Sequence, residues 1–180
     1  MDKLSFGMPL GTAMQVGFLV EDMNRELEHW TRTLRVGPFF YLPHFPLVEA
    51  HYRGAQVSPD LDVALAFSGT TCFELIHQND DAPSPFREAL TARGYGFHHW
   101  AVASRTFEDD LREREKSGMA IVASATVGLG GRCAYLETRS TLGAMLELIE
   151  ITPPVEQFLA MIHAAAEAWD GSDPVRHLAL

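Results

Sequence analysis

The chain has 180 residues, 47% of them hydrophobic and 21% charged, which describes a globular protein with one sizeable core and excludes a disordered one. A formal net charge of −10 makes nucleic acid and anionic membrane surfaces poor partners. No apolar run reaches the ~18 residues of a spanning helix, and the start lacks a signal-peptide core, so a cytoplasmic protein off the membrane is expected.

Taken in chain order, the elements repeat. Residues 15–20 (Gln-Val-Gly-Phe-Leu-Val) and residues 99–104 (His-Trp-Ala-Val-Ala-Ser) are strand-like hexapeptides that open on a polar residue. Each is followed by an acidic, helix-like stretch, residues 21–34 and 105–118. In the first stretch Met23, Leu27, Trp30 and Leu34 fall on one helical face, with Asp22 placed as its cap; Gly118 is the stop of the second. Phe73-Glu-Leu-Ile76 then reappears as Leu146-Glu-Leu-Ile149, with glutamate at the same phase. Strands near residues 62–67, 120–126 and 132–138 complete a βαβββ pattern in each half. The first half carries a longer middle, residues 37–61, rich in Pro, His and aromatic residues. A linker with a short helix at Pro85–Arg93 joins the halves.

After Pro153 and Pro154 the pattern changes: Val155, Phe158, Ile162, Ala165 and Trp169 form the stripe of an appended helix. Its apolar face must cover either the outside of the sheet or a second subunit. The expected architecture is α+β: one domain over residues 1–180, with module 1 at about 12–80, a linker at 81–96, module 2 at about 97–152 and a helical extension at 153–180. The two βαβββ modules form a cupped, eight-stranded mixed sheet. Cys72 and Cys133 sit in strands and are expected as buried thiols.

Strand alternation assigns the faces. Met14, Val16, Phe18 and Val20 should lie under the first helix, with Gln15, Gly17 and Leu19 opposite. His99 shares Gln15's phase, and His98 should point to the helix side. Glu74 lies with Cys72 and Ile76, and Glu147 with Met145 and Ile149. Taken singly, Gln15 reads as a solvent-facing strand residue, His99 as a satisfied core histidine, and the glutamates as carboxylates on a wet face. Taken together, two symmetric glutamates within apolar strands need a shared partner, and a divalent cation held by Gln15, Glu74, His99 and Glu147 supplies it.

These positions, with Val36-Gly-Pro-Phe39, Ser84-Pro-Phe86 and Gly96-Phe-His-His-Trp-Ala101, make residues 14–152 resemble the vicinal oxygen chelate superfamily, in its methylmalonyl-CoA-epimerase-like branch. The resemblance implies paired βαβββ modules around one divalent metal (Zn, Co, Mn or Ni), a small-molecule substrate and a homodimer. It also implies an isomerase or epimerase that abstracts a proton beside a metal-bound carbonyl to give an enolate, on an acyl-CoA or a bulky keto substrate. The alternatives are a glyoxalase-like or eliminating lyase, and a metal-free binding or resistance protein. Epimerases of the branch carry histidine where this chain has Gln15, and the Asp-Pro-Asp-Gly turn of glyoxalases is replaced by Arg139-Ser-Thr-Leu-Gly143. Glu147 is the first candidate base and Glu74 the second, with Glu49 and His51 outside them. Phe39, Tyr41, His51 and Tyr52 are candidates to line the substrate pocket.

Overall fold

The computed structural model describes residues 2–179. Its strands are β1 (Ala13–Leu19), β2 (Phe39–Leu42), β3 (Leu47–Tyr52), β4 (Ala55–Gln56), β5 (Leu61–Ser68), β6 (Thr71–Gln78), β7 (Gly96–Ser104), β8 (Ile121–Val127), β9 (Arg132–Leu136), β10 (Met145–Glu150) and β11 (Val175–His177). Its helices are α1 (Met23–His29), α2 (Pro85–Arg93), α3 (Phe107–Lys116), the single turn α4 (Arg139–Leu142) and α5 (Pro153–Glu167).

All strands join one sheet in the order β11-β2-β5-β6-β1-β7-β10-β9-β8-β3-β4. Its middle is the expected eight strands, as mirrored halves β2-β5-β6-β1 and β7-β10-β9-β8. In each half the first strand runs parallel to the last, β1 beside β6 and β7 beside β10, and the halves meet through the antiparallel pair β1–β7.

Three short strands extend this core beyond the sequence-based expectation. Residues 43–60 leave the β2 end, and β3 pairs with β8 at the far end, Leu47 opposite Val127 and Tyr52 opposite Ala123. Laid flat, the eight steps from β2 to β3 would separate them by roughly 38 Å at about 4.8 Å per strand. The linking residues 43–46 reach only about 18 Å when extended. The sheet must therefore curl until its ends approach, which makes the cup.

The convex face is covered by α1 and α3. Met23 and Leu27 of α1 pack with Val20, Phe39 and Leu75, and Phe107 at the start of α3 packs with Val102, Ala134 and Leu148. Asp22 caps α1 by accepting from the Arg25 N–H at 3.0 Å, and Gly118 follows the end of α3 at φ 88°. Leu34 departs from its expected place under the helix: residues Trp30–Leu34 wind as a π-turn, whose extra residue carries Leu34 out to 52% exposure.

The appended helix also departs from expectation. α5 is capped by Thr152, with Pro153 and Pro154 in its first turn. Its buried Val155, Leu159 and Ile162 join the concave-face cluster with Leu61, Val63 and Leu65 of β5, so the helix covers the inside of the cup and not its outside. His163 of the same helix stacks on Phe6 at 4.9 Å between ring centroids and meets Phe67 edge-on at 5.3 Å, which holds α5 against β5. Cys72 and Cys133 are free and buried.

Candidate metal centre

Four strands bring polar side chains to the floor of the cup, and the register shows how. Glu74 of β6, Gly17 of β1 and His99 of β7 lie side by side in one row across the sheet. Gln15 of β1, Ala101 of β7 and Glu147 of β10 form the next row. Each row has a small residue at its middle. A Cβ on Gly17 would sit 1.9 Å from Cε1 of His99, so the imidazole occupies space that only glycine leaves open.

Ligating atoms of Glu74, His99 and Glu147 lie within 4.8 Å of one another. His99 is fully buried, Gln15 and Glu147 are about 95% buried, and the Glu74 side chain is 13% exposed. Gln15 donates through Nε2 to Oε2 of Glu74 at 3.0 Å, so its carbonyl oxygen is the atom that remains to ligate a cation. His99 Nε2 stands 3.2 Å from Oε2 of Glu74 and 3.2 Å from Oε2 of Glu147. These are charge contacts without hydrogen-bond alignment: Nε2 of His99 and Oε2 of Glu147 are both buried with no hydrogen-bond partner.

His98 departs from its expected place on the helix side. The β1–β7 register slips between Gly17 and Phe18, and this bulge turns His98 to the cup side while Phe97 packs outside on Phe18 and Trp100. A second slip between Ala13 and Gln15 does the same for Met14, which joins the concave cluster instead of lying under α1. His98 Nε2 lies 3.3 Å from the Pro85 carbonyl, and its Nδ1 lies 3.0 Å from Nδ1 of His99. A carbonyl only accepts, so the His98 proton is on Nε2 and its Nδ1 must accept from His99. That places the proton of neutral His99 on Nδ1 and leaves the Nε2 lone pair 3.2 Å from each of two carboxylates. Such a set of acceptors requires either a cation or a further proton at its centre.

The titration behaviour follows from this geometry. Burial works against charge on His99, but Glu147 and Glu74 outweigh it and push the imidazole up to about 9. Burial raises the Glu74 carboxyl despite the opposing bonds from His99 and Gln15. Desolvation, reinforced by His99, holds His98 well below the usual imidazole range and so keeps it neutral. Burial followed by the charges of Glu147 and Glu74 lifts the Tyr135 phenol, whose ring meets His99 edge-on at 5.3 Å.

The cluster opens into a cavity with an empty volume of about 1010 Å³, part of it open to solvent, lined by Gln15, Glu74 and Glu147 among many apolar side chains. Tyr52 lines it and donates its hydroxyl to Glu88, and His51 lines it while donating from Nδ1 to the Glu49 carbonyl at 2.8 Å. Phe39 and Tyr41 are not part of this wall. Alternation in β2 sends Phe40 and Leu42 inward and packs Phe39 and Tyr41 on the α1 side, where Tyr41 donates to Asp62 at 2.5 Å. Glu49 is exposed and outside the lining. The sequence placed Gly17 on this face without a role and His98 on the other, and it did not mark Tyr135 or the α5 contribution. Only Gly17 had a local signal, a glycine inside a strand.

Burial opposes ionisation of Glu88, but bonds from Tyr52, Arg53 and Arg139 outweigh it and hold this carboxyl down to about 2. Arg53 contacts both Glu88 oxygens, at 2.9 and 2.8 Å, and Arg139 donates to it at 2.9 Å. This knot ties β3 to α2 and α4 beside the cavity.

Comparison with known proteins agrees with this architecture. No curated protein matches the sequence. Among solved structures, the chain is similar to a hypothetical protein from Bacillus halodurans C-125 at 20% identity, covering 78% of this chain and 94% of that one with a TM-score of 0.59. It is similar to methylmalonyl-CoA epimerase from Mycobacterium tuberculosis at 20% identity, covering 84% and 97% with a TM-score of 0.57. A variant Streptomyces coelicolor methylmalonyl-CoA epimerase in complex with 2-nitronate-propionyl-CoA matches at 17% identity, covering 81% and 97% with a TM-score of 0.56. At these identities the likeness speaks for the fold. The profile of one family matches residues 14–135, more than half of the chain, and the protein therefore belongs to the glyoxalase/bleomycin resistance protein/dioxygenase superfamily.

Proposed function

We propose that this chain is a metal-dependent isomerase or epimerase that moves a proton on the carbon beside a carbonyl. The observation that carries the reading is the unpartnered pair at the cup floor, Nε2 of His99 and Oε2 of Glu147, converging with Glu74 in one buried cluster. His99, Glu74, Glu147 and the Gln15 carbonyl would hold one divalent ion, and imidazole with oxygen donors suits Zn, Co, Mn or Ni. Such an ion supplies Lewis acidity, polarising a carbonyl and stabilising negative charge on its oxygen.

The chain's own residues do the rest. Glu147 is the base, because its Oε2 carries no hydrogen bond, whereas Glu74 already accepts from Gln15. Glu147 takes the α-proton, the charge delocalises as an enolate, and Glu147 returns the proton to the face presented to it, so that inversion follows when the enolate turns over before reprotonation. The apolar walls exclude water from the enolate.

The superfamily match and the aromatic insertion suggest two substrate classes, an acyl-CoA thioester and a bulky keto compound. The whole chain is read as one domain, active as a homodimer, and its buried free cysteines suit the reducing cytoplasm. Among the described residues no helix is long and apolar enough to cross a membrane.

One observation favours a second reading, a metal-free binding protein: a protonated His99 between two carboxylates would balance the cluster without an ion. Metal analysis of protein purified without chelator separates the two, with one equivalent of a transition ion and a raised melting temperature expected. Absence of any bound ion, with no thermal shift from Zn²⁺, Co²⁺, Mn²⁺ or Ni²⁺, would overturn the metalloenzyme. Deuterium uptake at the α-carbon of candidate carbonyl compounds in deuterium oxide then tests the reaction.

A further inference from the structure

The two segments outside the duplicated pattern add apolar wall to a cavity that strands of the repeat and the linker also line. From the insertion come Phe45, Leu47, Val57 and Pro59, and from α5 come Val155, Phe158 and Leu159. Between them, β5 contributes Leu61, Val63 and Leu65. A bare eight-stranded cup would leave this side open to solvent. Here hydrocarbon is added where the chain departs from the repeat, and the polar cluster stays at the floor.

The charges tell the same story. Among the described residues no lysine or arginine lines the cavity. The arginines next to its wall are engaged: Arg53 with Glu88, and Arg139 with Glu88 and Glu137. Arg93 donates to the carbonyls of Gly143 and His98. A coenzyme A thioester brings a diphosphate and a 3′-phosphate, which require cationic or backbone N–H partners. Among the described residues no free cation lines this site to supply such a partner.

Resting on the metal-centre reading above, we propose that the substrate is an apolar carbonyl compound without a coenzyme A moiety. Its oxygens face the cluster and its hydrocarbon body is enclosed by the insertion and α5. Of the two substrate classes, this selects the bulky keto compound.

The test uses the full-length protein and two probe series. In the first, N-phenyl-1-naphthylamine fluorescence reports the cavity in the presence of EDTA, and 2-butanone, 2-hexanone and 2-octanone displace it. In the second, acetohydroxamic, hexanohydroxamic and octanohydroxamic acids are titrated into cobalt-loaded protein by calorimetry. Each added methylene should tighten binding about fourfold in both series, the value for a fully buried CH₂. Coenzyme A should leave the fluorescence unchanged. A flat ketone series, or coenzyme A displacing the dye better than 2-octanone, would overturn the proposal.

Phe158→Ser and Leu129→Ser change partly exposed wall positions, so the fold should tolerate them. Each should cost octanohydroxamate about tenfold more affinity than acetohydroxamate; both variants keeping the wild-type slope would also overturn it. The arms separate the two readings. Protein that binds no metal yet shows the ketone slope loses the metalloenzyme and keeps the apolar ligand, and a metal-binding protein with a flat slope does the reverse.

Discussion

The two halves of the sheet share a backbone plan and differ in how they treat their carboxylates. In the first half Gln15 donates to Glu74 and fixes it. In the second half the position equivalent to Gln15 is His99, and Glu147 is left with an unpartnered oxygen. The middle residue of each row differs as well: Gly17 makes room for the imidazole, while its mirror position is the ordinary Ala101. Duplication supplies a symmetric floor, and small side-chain differences divide the labour on it. One carboxylate accepts a hydrogen bond from an amide, and the other keeps an oxygen without one.

Substitutions at mirrored positions can break or sharpen that comparison. The largest effect is expected at the free carboxylate. On a compound shown to exchange its α-proton, Glu147→Gln should slow deuterium uptake by about 10²–10⁴-fold while keeping the metal, because an amide oxygen still ligates. Glu74→Gln should slow uptake by less than about tenfold; equal losses would dissolve the distinction between the halves. Next comes the row centre. Gly17→Ala should lower cobalt affinity by about 100-fold in chelator competition, since the imidazole must leave its place, and the mirror change Ala101→Gly should alter it little.

His98→Phe removes the acceptor for the His99 Nδ1 proton and should cost about 10–100-fold in metal affinity. The tautomer of His99 should shift toward Nε2–H in nitrogen NMR, and His98→Gln, which can accept that proton, should restore part of the affinity. The smallest effect concerns the knot that joins the insertion of the first half to α4 of the second. Glu88 is held down to about 2 from the ordinary 4.5, so its stabilisation is fully present above pH 4.5 and is lost as pH falls through about 2. Between pH 5 and 2 the wild type should lose on the order of 2 kcal/mol more than Glu88→Gln in urea unfolding. Equal losses would mean that the knot does not stabilise the fold.

Much of the floor was legible because alternation is a local rule. Two glutamates at one phase in repeated tetrapeptides, with Gln15 and His99 opening repeated hexapeptides, suffice to place four side chains on one face. The rule fails where the period is interrupted. Bulges beside Gln15 and Phe18 turned Met14 and His98 inward, and a π-turn expelled Leu34. Nothing in the amino-acid pattern marks an extra residue in a ladder, because a bulge exists only relative to its partner strand. The pairing of β3 with β8 and the docking of α5 inside the cup were illegible for a related reason. Both join segments far apart in the chain, and apolar side chains at β3 or α5 would suit either face of a sheet. Phe39 and Tyr41 lie outside the cavity for the opposite reason: alternation does govern β2, and aromatic content was no guide to which face they take.

The closing of the cup also governs what the sheet can do at its rims. The ends of the eight-stranded core, β2 and β8, are each capped by another strand, and the outermost strands, β11 and β4, have three and two residues. Long open edges invite strand-by-strand growth into fibrils or swapped sheets, and short ones give a newcomer few backbone groups to grip. The short outermost strands therefore offer an incoming strand little to prolong. The insertion that walls the cavity thus also supplies the cap on one rim of the sheet.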